Sequence, residues 1–337
     1  MTNVINLDIE SYQQLLRDYI EKQDEKSLYR AEQMSKSLIK ENYPPEEIVN
    51  LHNQAVTTLY PKIDEDLKRA MNFLLETMIF YGLAHQEVQS LREEQLALKS
   101  EIAVAAGMQQ TLLATTTPHV DNLDIGVISV PAAQMNGDYY HFVESEDGSL
   151  GIAIADVIGK GVPAALCMSM IKYSMDSFPE HSMSPKMILE SLNRVVERNV
   201  DPSMFITMLY AQYDPSLGNL QYASAGHEPG FYYNAKKQSF TEIEAKGLVL
   251  GVLPDSTYKQ YELHIDDGDM VIFLTDGVTE CRQNGRLIES EEVLEVIEQY
   301  IHLSAQELVN QVYKHFERLQ NFQLNDDFTL IILRKNV

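Results

Sequence analysis

Four aspartates stand at the ends of short apolar runs in the C-terminal two-thirds of the chain: Asp138, Asp156, Asp276 and Asp326. A carboxylate beside a buried strand loses hydration, and that cost must be offset by a cation or by hydrogen bonds. Carboxylates that converge in a fold form the all-oxygen pocket that hard divalent cations prefer. The four residues therefore predict metal-assisted chemistry on phosphate. Singly, each is also explained as an ordinary turn residue, since Asp-Gly is common in turns.

The composition limits the possible substrates. The chain has 337 residues, enough for more than one domain, and a net charge of −24 from 26 Lys+Arg and 50 Asp+Glu. A generic nucleic-acid binder would show a dense basic patch, and the sequence has none. A phosphorylated substrate would need local positive charge, which bound metals can supply.

The expected location is the cytoplasm. Cys167 and Cys281 are the only cysteines, too few for a disulfide framework. The first residues lack the basic and apolar regions of a signal peptide. No apolar run approaches the roughly 18 residues of a membrane span.

Residues 1–82 predict an all-α helical bundle. They contain no glycine before Gly82, and apolar residues recur at helical spacing. Pro44-Pro45 and Pro61 mark places where one helix stops and another begins. The last helix is apolar on more than one side, so it either forms a bundle core or serves as a dimer or partner interface.

Residues 83–118 predict a coiled-coil linker helix. Four consecutive heptads indicate a parallel coiled coil, although polar and small residues make it weak. Positions a are Val88, Gln95, Ile102 and Gln109, and positions d are Leu91, Leu98, Ala105 and Leu112. The alternative is a single amphipathic helix packed on its own domain. Our hypothesis is that the coil is marginal and tightens on a signal; Thr115-Thr116-Thr117-Pro118 then ends the helix.

Residues 119–337 predict an α+β domain with antiparallel sheets, because short strands separated by turns are interrupted by grouped helices. The predicted strands include Leu123–Val130, Leu150–Asp156, Phe205–Tyr213, Asn219–Ala225, Gly230–Asn234, Met270–Thr275 and Thr329–Leu333. The predicted helices are Ala164–Ser177, Pro185–Asn199 and Glu289–Glu317.

The order of the motifs resembles the SpoIIE-type branch of the PPM metal-dependent Ser/Thr phosphatases over about residues 120–335. The motifs are Asn136-Gly137-Asp138-Tyr139-Tyr140, Ala155-Asp156-Val157-Ile158-Gly159-Lys160-Gly161-Val162-Pro163, Phe205-Ile206-Thr207, Ala225-Gly226-His227-Glu228-Pro229, Leu250-Gly251-Val252, Leu274-Thr275-Asp276-Gly277-Val278 and Asp326-Asp327-Phe328-Thr329. The N-terminal helices and linker coil resemble the phosphatases of the bacterial general stress response.

The resemblance implies an αββα sandwich with two Mn²⁺ or Mg²⁺ ions between its sheets. By family position, Asp156 bridges the two metals, and the carbonyl of Val157 assists one of them. Asp276 and Asp326 complete the shell of one metal, and Asp138 holds the other directly or through water. A water activated by the two metals then attacks phosphorus in line. Asp327 could exchange roles with Asp326, and family position favours Asp326.

Three positions depart from the family pattern. Asn136 replaces a glycine, His141 replaces a frequent aspartate, and Ile158 replaces a small residue. None removes an expected ligand, so we expect activity to survive. The chain has no arginine between Arg92 and Arg194. The metals must therefore offset the negative charge of the phosphate. Lys160 would contribute if it is more than a solvated loop residue.

Other chemically capable residues have simpler explanations. His227 either acts as a general acid or orders the loop at a strand end. Cys167 lies in an apolar run, so we expect it in the hydrophobic core. Cys281 has no histidine beside it in the sequence that could activate its thiol. The segment Gly159–Gly161 lacks the spacing of a phosphate-binding P-loop.

The resemblance implies a protein serine phosphatase that acts on an RsbV-like anti-anti-sigma protein, a STAS-domain substrate, and so turns on a stress sigma factor. It also implies an RsbT-like activator on the N-terminal helices, and we expect a homodimer through those helices and the coil. We hypothesise that the ordered coil pushes on the helix after Pro163. The alternatives are a pseudophosphatase scaffold, another two-metal phosphohydrolase such as a nuclease, and an N-terminal half that serves only as a dimerisation rod.

Overall fold

The structure is a computed structural model that describes residues 9–336 except 24, 42, 146, 160, 179–182, 202, 284–285 and 323. Lys160, a candidate phosphate contact, lies outside the described residues. The chain forms two compact units, Met1–Lys99 and Ser100–Val337. None of the described helices has an apolar stretch of the length needed to cross a lipid bilayer.

The first unit is helical, as the sequence predicts. Its helices are α1 (Ile9–Lys22), α2 (Glu25–Lys40), α3 (Pro45–Leu59) and the start of α4 (Glu65–Leu113). Helix α3 begins at Pro45 with two glutamates in its first turn, where a missing N–H costs nothing and negative charge is favourable. Leu38 and Ala55 are among its buried apolar residues. Helix α4 continues through Gly82 without a break, and its last residues belong to the second unit.

The second unit contains two five-stranded antiparallel sheets. The strands are β1 (Leu123–Val130), β2 (Asp138–Glu144), β3 (Leu150–Val157), β4 (Ile206–Asp214), β5 (Asn219–Ala225), β6 (Gly230–Asn234), β7 (Ser239–Ile243), β8 (Tyr261–His264), β9 (Met270–Leu274), β10 (Arg282–Gln283), β11 (Arg286–Leu287) and β12 (Phe328–Lys335). Sheet I has the order β1-β12-β9-β6-β7, and sheet II has the order β2-β3-β4-β5-β8. Strands β10 and β11 form a separate small hairpin.

Helices cover the outer face of each sheet. They are α5 (Val162–Asp176) and α6 (Pro185–Asn199) on sheet II, and α8 (Ser290–Gln299) and α9 (Ala305–Leu319) on sheet I, with the single turn α7 (Asp276–Thr279) after β9. The inner faces pack on each other through residues such as Ile152, Phe273 and Ile331. The predicted αββα sandwich is therefore confirmed.

The structure differs from the sequence-based prediction in two respects. The strands named from the sequence do not include β2, β7 or β8, where polar residues alternate with apolar ones or the strand lies at a sheet edge, nor the two-residue strands β10 and β11. The sequence pattern also predicted one helix over Glu289–Glu317, whereas the structure has α8 and α9. The Ser304 side chain caps α9 by accepting from the backbone N–H of Glu307, and this capping box starts a new helix.

Candidate active site

Side-chain alternation places Asp156 between the two sheets. Along β3, Ile152 and Ile154 face sheet I, whereas Ala153 and Ala155 face α5 and α6. Successive strand residues point to opposite faces, so Asp156 continues the inner row. Asp138 is its direct partner on β2. One end of sheet II therefore presents two adjacent carboxylates to the space between the sheets.

Asp138 connects this end of sheet II to sheet I. It is 3% exposed, and its Oδ2 accepts a hydrogen bond of 2.7 Å from the hydroxyl of Thr275, which follows β9. The Thr275 oxygen in turn accepts from the backbone N–H of Thr329 at 3.1 Å. The side chain of Thr329 also hydrogen bonds to Asp138. These buried threonines were missed by the sequence analysis, although each lies within a quoted motif.

The two adjacent aspartates at the start of β12 have different surroundings. Asp327 is buried, and its two oxygens accept hydrogen bonds from the backbone N–H groups of Ala132 and Gly137. Asp327 therefore ties the loop between β1 and β2 to sheet I. Asp326 accepts from the Asp327 N–H at 3.0 Å and lines a cavity of about 280 Å³.

Asp276 begins α7, immediately after β9. A Cβ on the neighbouring Gly277 would lie 1.9 Å from the carbonyl oxygen of Asp327, so the two loops are in close backbone contact. Gly277 also lines the 280 Å³ cavity together with Asp326. The end of sheet I thus brings the segments that carry Asp276 and Asp326 side by side.

Negative charge is concentrated at this end of the sandwich. Burial raises the pKa of Asp138 well above its usual range against the lowering effect of its two threonine bonds, and the charges of Asp156 and Asp327 raise it further. Burial also raises the pKa of Glu228, with added repulsion from Asp276 and Glu280. Such a site favours a bound cation or proton.

The donor chemistry fits Mg²⁺ or Mn²⁺, because the groups gathered here are carboxylates and backbone carbonyls. The residues fit these ions by the type of their oxygen ligands, but their side chains do not form a complete coordination shell. Within the part of the chain that the structure describes, no three histidine, cysteine, aspartate or glutamate side chains are arranged to hold a metal ion. The four predicted ligands are placed at neighbouring strand ends of the two sheets.

The last turns of α4 contact the loop that leads to Asp138. The Gln109 amide is 4% exposed and forms two hydrogen bonds with Asn136: its Nε2 donates to the carbonyl at 2.7 Å, and its Oε1 accepts from the N–H at 3.0 Å. The Asn136 side chain accepts from the Asp138 N–H and donates to Ser129. Asn136 therefore links α4 to strand β2.

Helix α4 also contacts α5. Ala106, Met135 and Ala165 form a small buried cluster, with Ile102 packed against it. The Gln109 Nε2 lies 3.4 Å from the Met168 sulfur. A cavity of about 190 Å³, lined in part by Gln109, Asn136 and Asp138, opens beside this contact.

His141 connects three elements of the same unit. Its Nδ1 lies 3.2 Å from the hydroxyl of Thr115, beyond the end of α4, and its Nε2 lies 3.2 Å from a carboxylate oxygen of Asp176, at the end of α5. Burial lowers the pKa of His141, opposed by Asp176. The histidine that replaces the family aspartate thus joins β2 to α5 and to the segment after α4.

His227 is buried beneath the carboxylates. Its Nδ1 lies 3.0 Å from the hydroxyl of Thr207, the β4 partner of Asp156, and its Nε2 is buried without a hydrogen-bond partner among the described residues. Burial lowers the pKa of His227 to about 4. A neutral, buried ring in the segment between β5 and β6 agrees with the loop-ordering interpretation and gives no access for a general acid.

Both cysteines are buried and reduced. Cys167 belongs to the core between α5 and sheet II, as predicted. Burial raises the pKa of the Cys281 thiol to about 12, which opposes a nucleophilic thiolate.

The αββα sandwich with carboxylates at one end of its sheets defines the PPM, or PP2C, class of metal-dependent phosphatases. Solved structures share this fold. The SiaA-PP2C domain of Pseudomonas aeruginosa has a TM-score of 0.61 at 17% identity, covering 72% of this chain and 98% of that one. The RsbU and RsbW domains of a Mycobacterium tuberculosis protein have a TM-score of 0.56 at 24% identity, covering 65% of this chain and 63% of that one.

Sequence comparisons narrow the class. The family model "Stage II sporulation protein E" matches residues 146–336, and "Phosphoserine phosphatase RsbU, N-terminal domain" matches residues 10–84. Phosphoserine phosphatase RsbU of Bacillus subtilis is 54% identical over 326 residues, which is 97% of each chain. The chain therefore belongs to the RsbU family of phosphoserine phosphatases. It is an enzyme of the PPM phosphatase class.

Proposed function

We propose that this phosphatase removes phosphate from a phosphoserine of an RsbV-like STAS-domain protein, an anti-anti-sigma factor, and so turns on a general-stress sigma factor. The observation that carries the chemistry is the joining of the two sheet ends through Thr275 and Asp138. The similarity to phosphoserine phosphatase RsbU over nearly the whole chain supports the choice of a protein phosphoserine.

Two Mn²⁺ or Mg²⁺ ions would be held by the predicted ligands. Asp156 would hold both ions, the Val157 carbonyl would assist one of them, Asp276 and Asp326 would complete one shell, and Asp138 would hold the other ion directly or through water. When bound, the ions would supply a nucleophilic water at neutral pH and offset the charge of the phosphoryl oxygens. The chain's own residues would hold the carboxylates in register for that task.

The hydrogen bonds of Asp327 support Asp326 as the ligand. Both oxygens of Asp327 already accept from backbone N–H groups in a buried loop. Each oxygen of Asp327 thus has only one lone pair left for a metal, and the two bonds fix the orientation of the carboxylate. Asp326 is half-buried and faces a cavity of about 280 Å³, which leaves room for an ion with its water shell.

An RsbT-like activator would bind the N-terminal helices, and two copies of the chain would pair through those helices and the linker. Large apolar residues exposed on the first unit, among them Phe73, Phe80 and Tyr81, support an interface there. Positions a and d form the seam of the predicted coil. Its residues Val88, Leu91 and Leu98 are exposed as well. A partner helix along this seam would remove them from water.

The contacts of α4 suggest how such a signal would reach the site. Gln109 holds the loop before Asp138, and Ala106 packs near Ala165 on α5. Gln109, assigned to the coil seam by its spacing, is buried against its own catalytic unit. The end of the linker therefore follows the packed amphipathic alternative, whereas the segment around Gln95 stays available for pairing.

The decisive experiment measures Mn²⁺-dependent phosphate release from a phosphoserine STAS protein, with and without an RsbT-like protein. We expect turnover that rises with the activator and is lost in Asp156→Ala. Absence of turnover by the wild-type chain under both conditions would instead favour the pseudophosphatase scaffold. Cleavage of nucleic acid in a parallel assay would indicate a different two-metal phosphohydrolase.

A further inference from the structure

A second buried glutamine connects the two acidic segments of sheet I. Gln320 follows the last turn of α9 and is 8% exposed. Its Nε2 donates to the sulfur of Cys281 at 2.9 Å, and its Oε1 accepts from the backbone N–H and side-chain amide of Asn325 at 3.3 and 3.0 Å. One side chain therefore holds two segments that are distant in sequence.

Both ends of this connection lie next to a predicted ligand. The thiol of Cys281 donates to the carbonyl of Gly277 at 3.2 Å, and Gly277 follows Asp276. Asn325 directly precedes Asp326. Cys281 is 1% exposed, so its bonds to Gly277 and Gln320 lie in a dry environment that strengthens them, whereas the bonds to Asn325 are part-buried. We call Gly277, Cys281, Gln320 and Asn325 the amide clamp.

The clamp has a defined geometric consequence. The backbones of Gly277 and Asp327 are in contact, which limits how closely the two segments approach. The clamp limits how far the two segments separate. It also limits the rotation of α7, because the thiol of Cys281 is hydrogen-bonded to the carbonyl of Gly277. The burial that raises the pKa of Cys281 keeps its proton available for that carbonyl.

We propose that Gln320 is a positioning residue that, through Cys281 and Asn325, sets the separation of Asp276 and Asp326 and so tunes the binding of a divalent cation by this pair. This inference rests on the proposed assignment of these two aspartates as ligands. Groups that orient metal ligands typically change metal affinity by about 10- to 100-fold when removed.

The test measures Mn²⁺ binding directly, by the electron paramagnetic resonance signal of free Mn²⁺ titrated with the full-length protein. We expect Gln320→Leu to weaken binding by on the order of tenfold, and Cys281→Ala to weaken it several-fold. Cys281→Ser keeps a donor and an acceptor, so it should bind more tightly than Cys281→Ala. The control is Cys167→Ala, a buried cysteine far from the clamp in sequence and packed in the other helical layer.

A second readout separates positioning from general damage. At saturating Mn²⁺, phosphate release by Cys281→Ala should return toward the wild-type rate, because only the metal requirement has changed. Unchanged Mn²⁺ affinity in both Gln320→Leu and Cys281→Ala would overturn the proposal. If Gln320→Leu fails to fold, the Cys281 pair decides: equal affinity of the Ala and Ser variants would overturn it.

Failure of the underlying ligand assignment would look different. Asp276→Asn and Asp326→Asn should each weaken Mn²⁺ binding more than any clamp variant. If these two substitutions leave binding unchanged while Asp156→Ala abolishes it, the ligand assignment of the sheet I pair is wrong. If the aspartate variants lose Mn²⁺ and the clamp variants do not, only the role of Gln320 is wrong.

Discussion

The two pairs of carboxylates at the candidate site are held in different ways. Asp138 and Asp156, on sheet II, are cross-strand partners, and the loop before Asp138 is hydrogen-bonded to Gln109 of α4. Asp276 and Asp326, at the end of sheet I, lie in segments that Gln320 joins within their own layer. The first pair has contacts with the linker helix, whereas the clamp of the second is internal to its layer.

We infer from this difference that the two pairs would take different parts in the proposed regulation. A change in α4 would act on the loop of Asp138 through Asn136, and on α5 through Ala165. The sheet I pair would supply a constant half of the site. A partner-driven signal would then change activity by completing the half of the site that lies on sheet II. Four predictions test this comparison.

The largest effect is expected for Asp156→Ala, which removes the proposed shared ligand of both halves. Phosphate release should fall by at least about 10³-fold, more than the loss of a single hydrogen-bond donor usually causes. The measurement is Mn²⁺-dependent release from a phosphoserine protein. Asp255→Ala is the matched control, because Asp255 is exposed. An Asp156→Ala enzyme with normal turnover would remove the basis for the two-half site.

His227 lies in the segment that joins β5 of sheet II to β6 of sheet I, and its Nδ1 contacts Thr207 beside Asp156, so its protonation should affect the stability of both halves. Its folded-state pKa, about 4, lies below the unfolded value of 6.5. The unfolded chain therefore binds the extra proton first as pH falls. This contribution is fully present above pH 6.5 and is lost as pH falls toward 4, by about 3 kcal/mol at most.

The check is chemical denaturation of His227→Gln and wild type between pH 7 and pH 4. The variant should show a smaller loss of unfolding free energy over that range. His119→Gln serves as the control because His119 is exposed. Parallel pH profiles for wild type and His227→Gln would mean that the buried ring does not control the stability of the joined sheets.

Gln95 and Gln109 should respond in opposite directions. Gln95→Leu should strengthen the exposed coil seam and raise basal activity several-fold, in the absence of an activator. Gln109→Leu should loosen the loop before Asp138 and lower activity by on the order of tenfold. Basal phosphate release by the two full-length variants provides the comparison. Unchanged basal activity in both would contradict control through α4.

Thr275→Val should have the smallest effect. It removes the 2.7 Å donor to Asp138 while keeping the side-chain volume, so we expect a several-fold rise in the Mn²⁺ concentration needed for half-maximal activity. Thr275→Ser keeps the hydroxyl and should restore most of the affinity. Equal Mn²⁺ requirements for the Val and Ser variants would show that this bond does not orient the sheet II pair.

Much of the fold follows from local pattern. The strands β1, β5 and β6 and the helix α6 have the bounds that the sequence predicts. The break between α8 and α9 was also within reach, because Ser304 and Glu307 form a recognisable capping box. Strand β2 was harder, because Asp138, His141 and Glu144 interrupt its apolar residues.

The sequence by itself determined the order of the acidic motifs and the α+β class with antiparallel sheets, because alternation, turn residues and apolar runs are local properties; the αββα arrangement was implied by the resemblance to the PPM phosphatases. Only the tertiary structure decided the rest. Asp326 and Asp327 are neighbours with the same chemistry, and they differ because the loop between β1 and β2 reaches Asp327. Gln109 and Gln320 are polar residues in helical patterns, and their partners lie in segments that only folding brings together.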